Sequence, residues 1–223
     1  MSGQPVRIKV CGLTQVSDAL ACVEAGADWI GLNFHPASPR YIDPSAAAEI
    51  VAALPSSAEA VGLFVDRPPA EVAEVAERIG LRIIQLHGQE PPSDLLSFTH
   101  LQIIRAFRLG SPEAIARMSA YLQQAEELGR RPDGVLVDAF VAGVEGGTGK
   151  TIGADLLGLL PPLPRLILAG GLTPENVAER VFRVRPWMVD VASGVESSPG
   201  RKDPGRVSAF IQAVRSAMAA EPV

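Results

Sequence analysis

The sequence predicts a (β/α)₈ barrel. Eight short apolar runs alternate with helical patterns from one end of the chain to the other, which is the pattern of a parallel sheet wrapped by helices. Proline recurs at the first turn of the helical segments, where its missing N–H costs no hydrogen bond. The 223 residues fall slightly below the ~250 typical of such barrels, so insertions should be few. No Pro/Gly/Ser-rich linker divides the chain, and residues 1–223 are expected to form one domain. A doubly wound open sheet is the alternative architecture.

The elements follow in order. Val6–Cys11 is the first strand. Gln15–Ala25 places Val16, Ala19, Leu20 and Val23 on one stripe and reads as a helix. Trp29–Phe34 and Pro44–Leu54 form the second unit, and Ala60–Val65 and Pro69–Ile79 the third. Arg82–His87 is the fourth strand, followed by a weak helical segment near Pro92–Phe98. Leu101–Phe107 and Pro112–Leu128 come next. Gly134–Asp138 is the sixth strand, and its helix, near Ala154–Leu160, is the other weak unit. Arg165–Ala169 leads into Pro174–Val184, with Thr173 as the expected N-cap hydroxyl. Trp187–Ala192 and Pro204–Met218 complete the set.

Composition narrows the function. The formal net charge is -5 and no basic cluster exceeds a pair, which argues against nucleic acid as a partner. No apolar run approaches the ~18 residues of a membrane span, and no leader pattern opens the chain. A cytoplasmic location is expected. There are two cysteines, and a Cys11–Cys22 bridge would join a strand end to the body of a helix, an awkward geometry. No HxxxH, CxxC or carboxylate triad appears, so no metal is expected.

Side chains alternate across a strand. Lys9 and Cys11 share one face of the first strand, Gln85 and His87 one face of the fourth, and Asp190 and Ala192 one face of the eighth. In the sixth, Leu136 and Asp138 oppose Val135 and Val137. Polar residues thus gather on one face, late in the strands, where barrel active sites lie. Taken singly, Cys11 fits a small buried apolar residue, His87 a hydrogen-bonded structural histidine, and Lys9 with Asp190 a buried ion pair. Their shared position marks Cys11, His87 and Asp138 as functional candidates. Cys22, inside the first helix, reads as core.

Two glycine turns stand out. Leu168-Ala-Gly-Gly-Leu172 follows the seventh strand and Ser193-Gly-Val-Glu196 the eighth. Such turns let backbone N–H groups approach an anion, and these are the loops that bind phosphate in many barrels. Gly146-Gly-Thr-Gly-Lys-Thr151 ends like a P-loop, but Val144 stands where that motif requires glycine. A lid that excludes water fits this loop better. Arg40, in Ser38-Pro-Arg-Tyr-Ile42, offers a fork of donors suited to a carboxylate. By itself it is as readily a surface arginine.

Together these segments resemble the phosphoribosylanthranilate isomerase family. The resemblance rests on Lys9-Val-Cys-Gly-Leu-Thr14, Gly31-Leu-Asn-Phe34 with Ser38–Ile42, Val61–Val65, Gln85-Leu-His-Gly88, Gly146–Thr151, Leu168–Leu172 with Pro174-Glu-Asn176, and Ser193–Glu196 with Lys202-Asp203. It implies a single-domain barrel, no cofactor, and a phosphorylated small-molecule substrate that undergoes an Amadori rearrangement. It also implies Cys11 as general base, Asp138 as general acid, and Arg40 at the substrate carboxylate. Gly170, Gly171, Ser193 and Gly194 would hold the phosphate. Lys9, Asn33, Gln85, His87 and Asp190 are candidate supporting residues, with Lys9 the group expected to favour a Cys11 thiolate. The acting unit would be a monomer or a homodimer. Ile152-Gly-Ala154 departs from the Phe-Asp-Trp that usually follows Gly-Lys-Thr in the family. Another sugar-phosphate isomerase barrel, a P-loop hydrolase and a non-catalytic phosphate-binding barrel are the rivals.

Overall fold

The computed structural model describes residues 5–138, 158–163 and 165–219. Eight strands close a parallel barrel in sequence order, with the first paired to the eighth. They are β1 (Arg7–Cys11), β2 (Trp29–Asn33), β3 (Glu59–Phe64), β4 (Ile83–Leu86), β5 (Gln102–Arg108), β6 (Gly134–Asp138), β7 (Leu166–Ala169) and β8 (Met188–Val191). The open-sheet alternative is thereby excluded. The strands carry near-continuous apolar runs because both their faces are covered.

The described helices are α1 (Val16–Ala25), α2 (Pro44–Ala53), α3 (Pro69–Ile79), α4 (Pro112–Glu127), α5 (Val177–Val184) and α6 (Pro204–Ala219). Proline occupies the first turn of α2, α3 and α4. The weak segment after β4 is a 3₁₀ turn, Pro92–Ser97, rather than an α-helix. The glycine-rich stretch 146–151, the Ile152–Ala154 departure and most of the sixth helical segment lie outside the described residues.

One expectation fails at α5. Thr173 does not cap the helix, which begins only at Val177 after a turn. Asn176 builds that turn by accepting from Thr173 N at 2.9 Å and donating to the Gly171 carbonyl at 2.9 Å.

The core has an inner and an outer part. Trp29, Val61, Ile83, Ile104, Ala106, Leu136, Ile167, Ala169 and Met188 fill the barrel interior. The opposite strand faces, including Ile8, Val10, Ile30, Leu32, Phe64 and Val189, meet the helices. Phe34 and Phe64 stack there, centroids 5.1 Å apart, with almost no exposure. Removing a buried aromatic ring typically leaves a cavity that cannot fully relax. Phe64→Ala should therefore lower unfolding free energy by about 3–5 kcal/mol, as read by urea titration.

Candidate active site

The barrel geometry gathers the candidate residues at one mouth. A cavity of about 410 Å³ is lined by Cys11, Asn33, Arg40, Gln85, His87, Asp138, Asp190 and the turns Gly170–Gly171 and Ser193–Gly194. Every sequence-derived site residue except Lys9 lines it. Lys9 lies one layer deeper, beside Asp190.

Strand register explains the depth of Lys9. Lys9 pairs with Asp190 across the β1–β8 seam, and Cys11 faces Gly31 across β1–β2. Lys9 Nζ donates to Asp190 Oδ2 at 2.9 Å, with both side chains almost fully buried. The other carboxylate oxygen, Asp190 Oδ1, is buried without a hydrogen-bond partner among the described residues. Gly31 makes room for the thiol, since a Cβ there would sit 2.6 Å from Cys11 Sγ.

The charge state of Cys11 reflects competing effects. Burial pushes the thiol above its ordinary value, and the nearby Lys9 ammonium pulls it back only in part. Lys9 thus acts in the expected direction, but the resting group is a thiol. Lys9 itself is depressed by burial, yet the Asp190 carboxylate, which it also hydrogen-bonds, more than offsets this and holds its pKa above the ordinary value, so it stays charged. Cys22 is a buried free cysteine in α1, pushed up to about 12 by burial, consistent with an inert core position.

Arg40 is held by an internal carboxylate. Its Nε lies 2.8 and 3.1 Å from the two oxygens of Glu196, and Nη2 lies 2.6 Å from Glu196 Oε2. The fork expected to meet a ligand therefore already grips the protein. The Arg40 stem passes over Gly12, which has φ +79° and no Cβ to obstruct it. Asn33 lines the cavity and also shapes the Arg40 loop. It donates to Ser38 Oγ at 3.0 Å and accepts from His35 N at 2.9 Å, while Ser38 Oγ accepts from Arg40 N.

Gln85 Nε2 lies 2.7 Å from His87 Nδ1. With the amide donating, the imidazole proton sits on Nε2. Burial, followed by the charges of Lys9, Arg108 and Arg105, depresses the His87 pKa to about 4, so the ring is neutral at pH 7.

The first of the two glycine turns uses left-handed backbone. Gly170 and Gly171 have φ +93° and +62°, which glycine adopts without steric penalty. A side chain at Gly194 would collide with the Leu172 carbonyl, so the two turns interlock.

Residues 8–213 match the family model for N-(5'phosphoribosyl)anthranilate (PRA) isomerase. The chain belongs to that family. An N-(5'-phosphoribosyl)anthranilate isomerase of Geobacter sulfurreducens is 45% identical over 207 residues, covering 93% of this chain and 97% of the relative. The crystal structure of phosphoribosyl anthranilate isomerase from Thermotoga maritima superposes with a TM-score of 0.82 at 36% identity, covering 95% and 99% of the two chains. Another isomerase structure, in complex with reduced 1-(o-carboxyphenylamino)-1-deoxyribulose 5-phosphate, superposes with a TM-score of 0.79 at 33% identity, covering 95% and 99%.

Four residues of this isomerase barrel, Arg108, Glu196, Lys202 and Gly31, lie outside the sequence-derived site set. Arg108 points into the mouth because Ile104 and Ala106 on β5 face the interior. Alternation extended one residue past Phe107 would have exposed it. Glu196 and Lys202, by contrast, carry no local signal beyond their place in the resemblance. Gly31 likewise gains its meaning only from its register against Cys11.

The depressed His87 pKa sets a stability trend. The neutral ring is favoured in the folded chain, so its contribution is present above the ordinary value near 6.5 and lost as pH falls towards about 4. His87→Gln should remove up to about 3 kcal/mol of the stability change between those pH values, measured by urea unfolding at each pH.

Proposed function

We propose that this chain isomerises N-(5'-phosphoribosyl)anthranilate to 1-(2-carboxyphenylamino)-1-deoxyribulose 5-phosphate. Family membership supports the reaction, and the convergence of Cys11 and Asp138 on one cavity beside two glycine turns is the observation that carries it. Residues 1–223 are read as one catalytic barrel, acting as a monomer or homodimer, which light scattering distinguishes.

In this reading the substrate phosphate rests on the turns at Gly170–Gly171 and Ser193–Gly194. Arg40 receives the anthranilate carboxylate. Asp138 donates a proton to the furanose oxygen, and the C1′–O bond breaks to give a Schiff base. Cys11 then removes the C2′ proton, and the resulting enolamine tautomerises to the ketone.

The buried thiol needs help to ionise at that step. Lys9 stabilises the thiolate, and the cationic iminium formed by ring opening adds a second positive charge beside it. The thiolate is thus favoured where its proton abstraction is required. Asn33 and Gln85 act indirectly, through the Arg40 loop and the His87 ring. Asp190 holds Lys9.

General acid or base action typically contributes 10²–10⁴-fold. Cys11→Ser and Asp138→Asn should each lower kcat by at least about 10²-fold, followed through the fluorescence of the anthranilate-bearing substrate. Wild-type kcat in either variant would remove that residue from its role. Arg40→Ala should act chiefly on KM; an unchanged KM and kcat/KM would reject the carboxylate contact.

A further inference from the structure

Arg40 meets a carboxylate before any substrate arrives. Glu196 occupies its Nε and Nη2, and Nη1 is the guanidinium nitrogen with no partner among the described residues. Glu196 is itself almost fully buried, with its side chain 4% exposed. Its Oε1 also accepts from Lys202 Nζ at 2.8 Å and Gly200 N at 3.3 Å. Lys202 Nζ continues to the Cys11 carbonyl at 2.7 Å and the Ala192 carbonyl at 3.2 Å. One chain of hydrogen bonds therefore ties the Arg40 arm to the backbone of Cys11.

We propose that Glu196 is the positioning residue of the carboxylate subsite, fixing Arg40 so that Nη1 receives the substrate and tying that contact to Cys11 through Lys202. The inference rests on the reading that Arg40 meets the substrate carboxylate. Charge balance agrees with it. Two cations share one buried anion, so the cluster keeps one net positive charge for an incoming carboxylate. Without Lys202, Glu196 would cancel Arg40 and repel the substrate. Without Glu196, Arg40 would be a flexible arm over Gly12, which has no side chain to confine it. A guanidinium gripped along one edge offers the other edge in a defined orientation, and geometry of this kind separates specific recognition from mere attraction.

The cluster should therefore set the preference for a carboxylated aglycone. The test compares kcat/KM for N-(5'-phosphoribosyl)anthranilate with that for its aniline counterpart, which lacks the carboxylate. Wild type should prefer the anthranilate substrate. Glu196→Gln should shrink that preference by about tenfold, the scale of a lost charge-assisted contact, with the loss falling on KM for the carboxylated substrate. In an Arg40→Ala background, Glu196→Gln should shrink it no further, because both changes remove one interaction. Equal losses on both substrates, or additive losses in the double variant, would overturn the proposal. If Glu196→Gln does not fold, as judged by its melting temperature, Arg40→Lys carries the test. It keeps the charge but not the fork, and wild-type preference in that variant would overturn the proposal equally. Absence of turnover by wild type would instead refute the isomerase reading itself.

Discussion

The seam where β8 meets β1 is the constraint on which the site depends. Closure of the barrel brings Lys9 opposite Asp190 and buries their ion pair in the interior. A buried pair is weak evidence for stability, because desolvation can exceed the attraction, yet losing one partner strands a buried charge at a cost of about 3–5 kcal/mol. Either member is thus hard to change alone. Its functional consequence lies one layer above, at Cys11, where the ammonium opposes the effect of burial on the thiol. An open sheet would leave Lys9 and Asp190 on opposite edges and Cys11 without its counter-charge.

The mouth above this seam is assembled from both ends of the chain. Cys11 and Gly12 come from the first strand and its loop, Arg40 from the second loop, and Glu196 and Lys202 from the segment after β8. Lys202 also accepts structural anchoring through its backbone, which donates to Asp18 Oδ2 at 2.9 Å. Asn33 and Ser38 stiffen the Arg40 loop from below. Rigid strand ends place the groups, and short polar contacts hold the loops to them, as expected of sites built on a barrel scaffold.

Neutral His87 complements this charged side of the cavity. Its neighbours Lys9, Arg105 and Arg108 all disfavour a further positive charge. The ring therefore remains a hydrogen-bonding group, fixed by Gln85, rather than an acid. The positive charges that surround it suit a substrate with two anionic groups, and Asp190 and Glu90 balance two of them, Lys9 and Arg105.

Fold class and most strand positions were legible in the sequence because apolar alternation, proline at helix starts and glycine turns are local properties. The candidate base and acid were legible for the same reason, since each ends a strand, and the glycine turns because each follows a strand end. Thr173 misled because proline after a threonine marks a helix start in general, whereas here Asn176 made a turn first. Arg108 was within reach of the alternation rule. The grip of Glu196 on Arg40 was not, since 156 residues separate them. Nor was the ionisation of Cys11, which depends on how far burial outweighs Lys9. The sequence by itself determined which side chains stand at the strand ends; only barrel closure decided which of them touch, because pairing across the seam and between distant loops is a property of the closed surface and not of any segment within it.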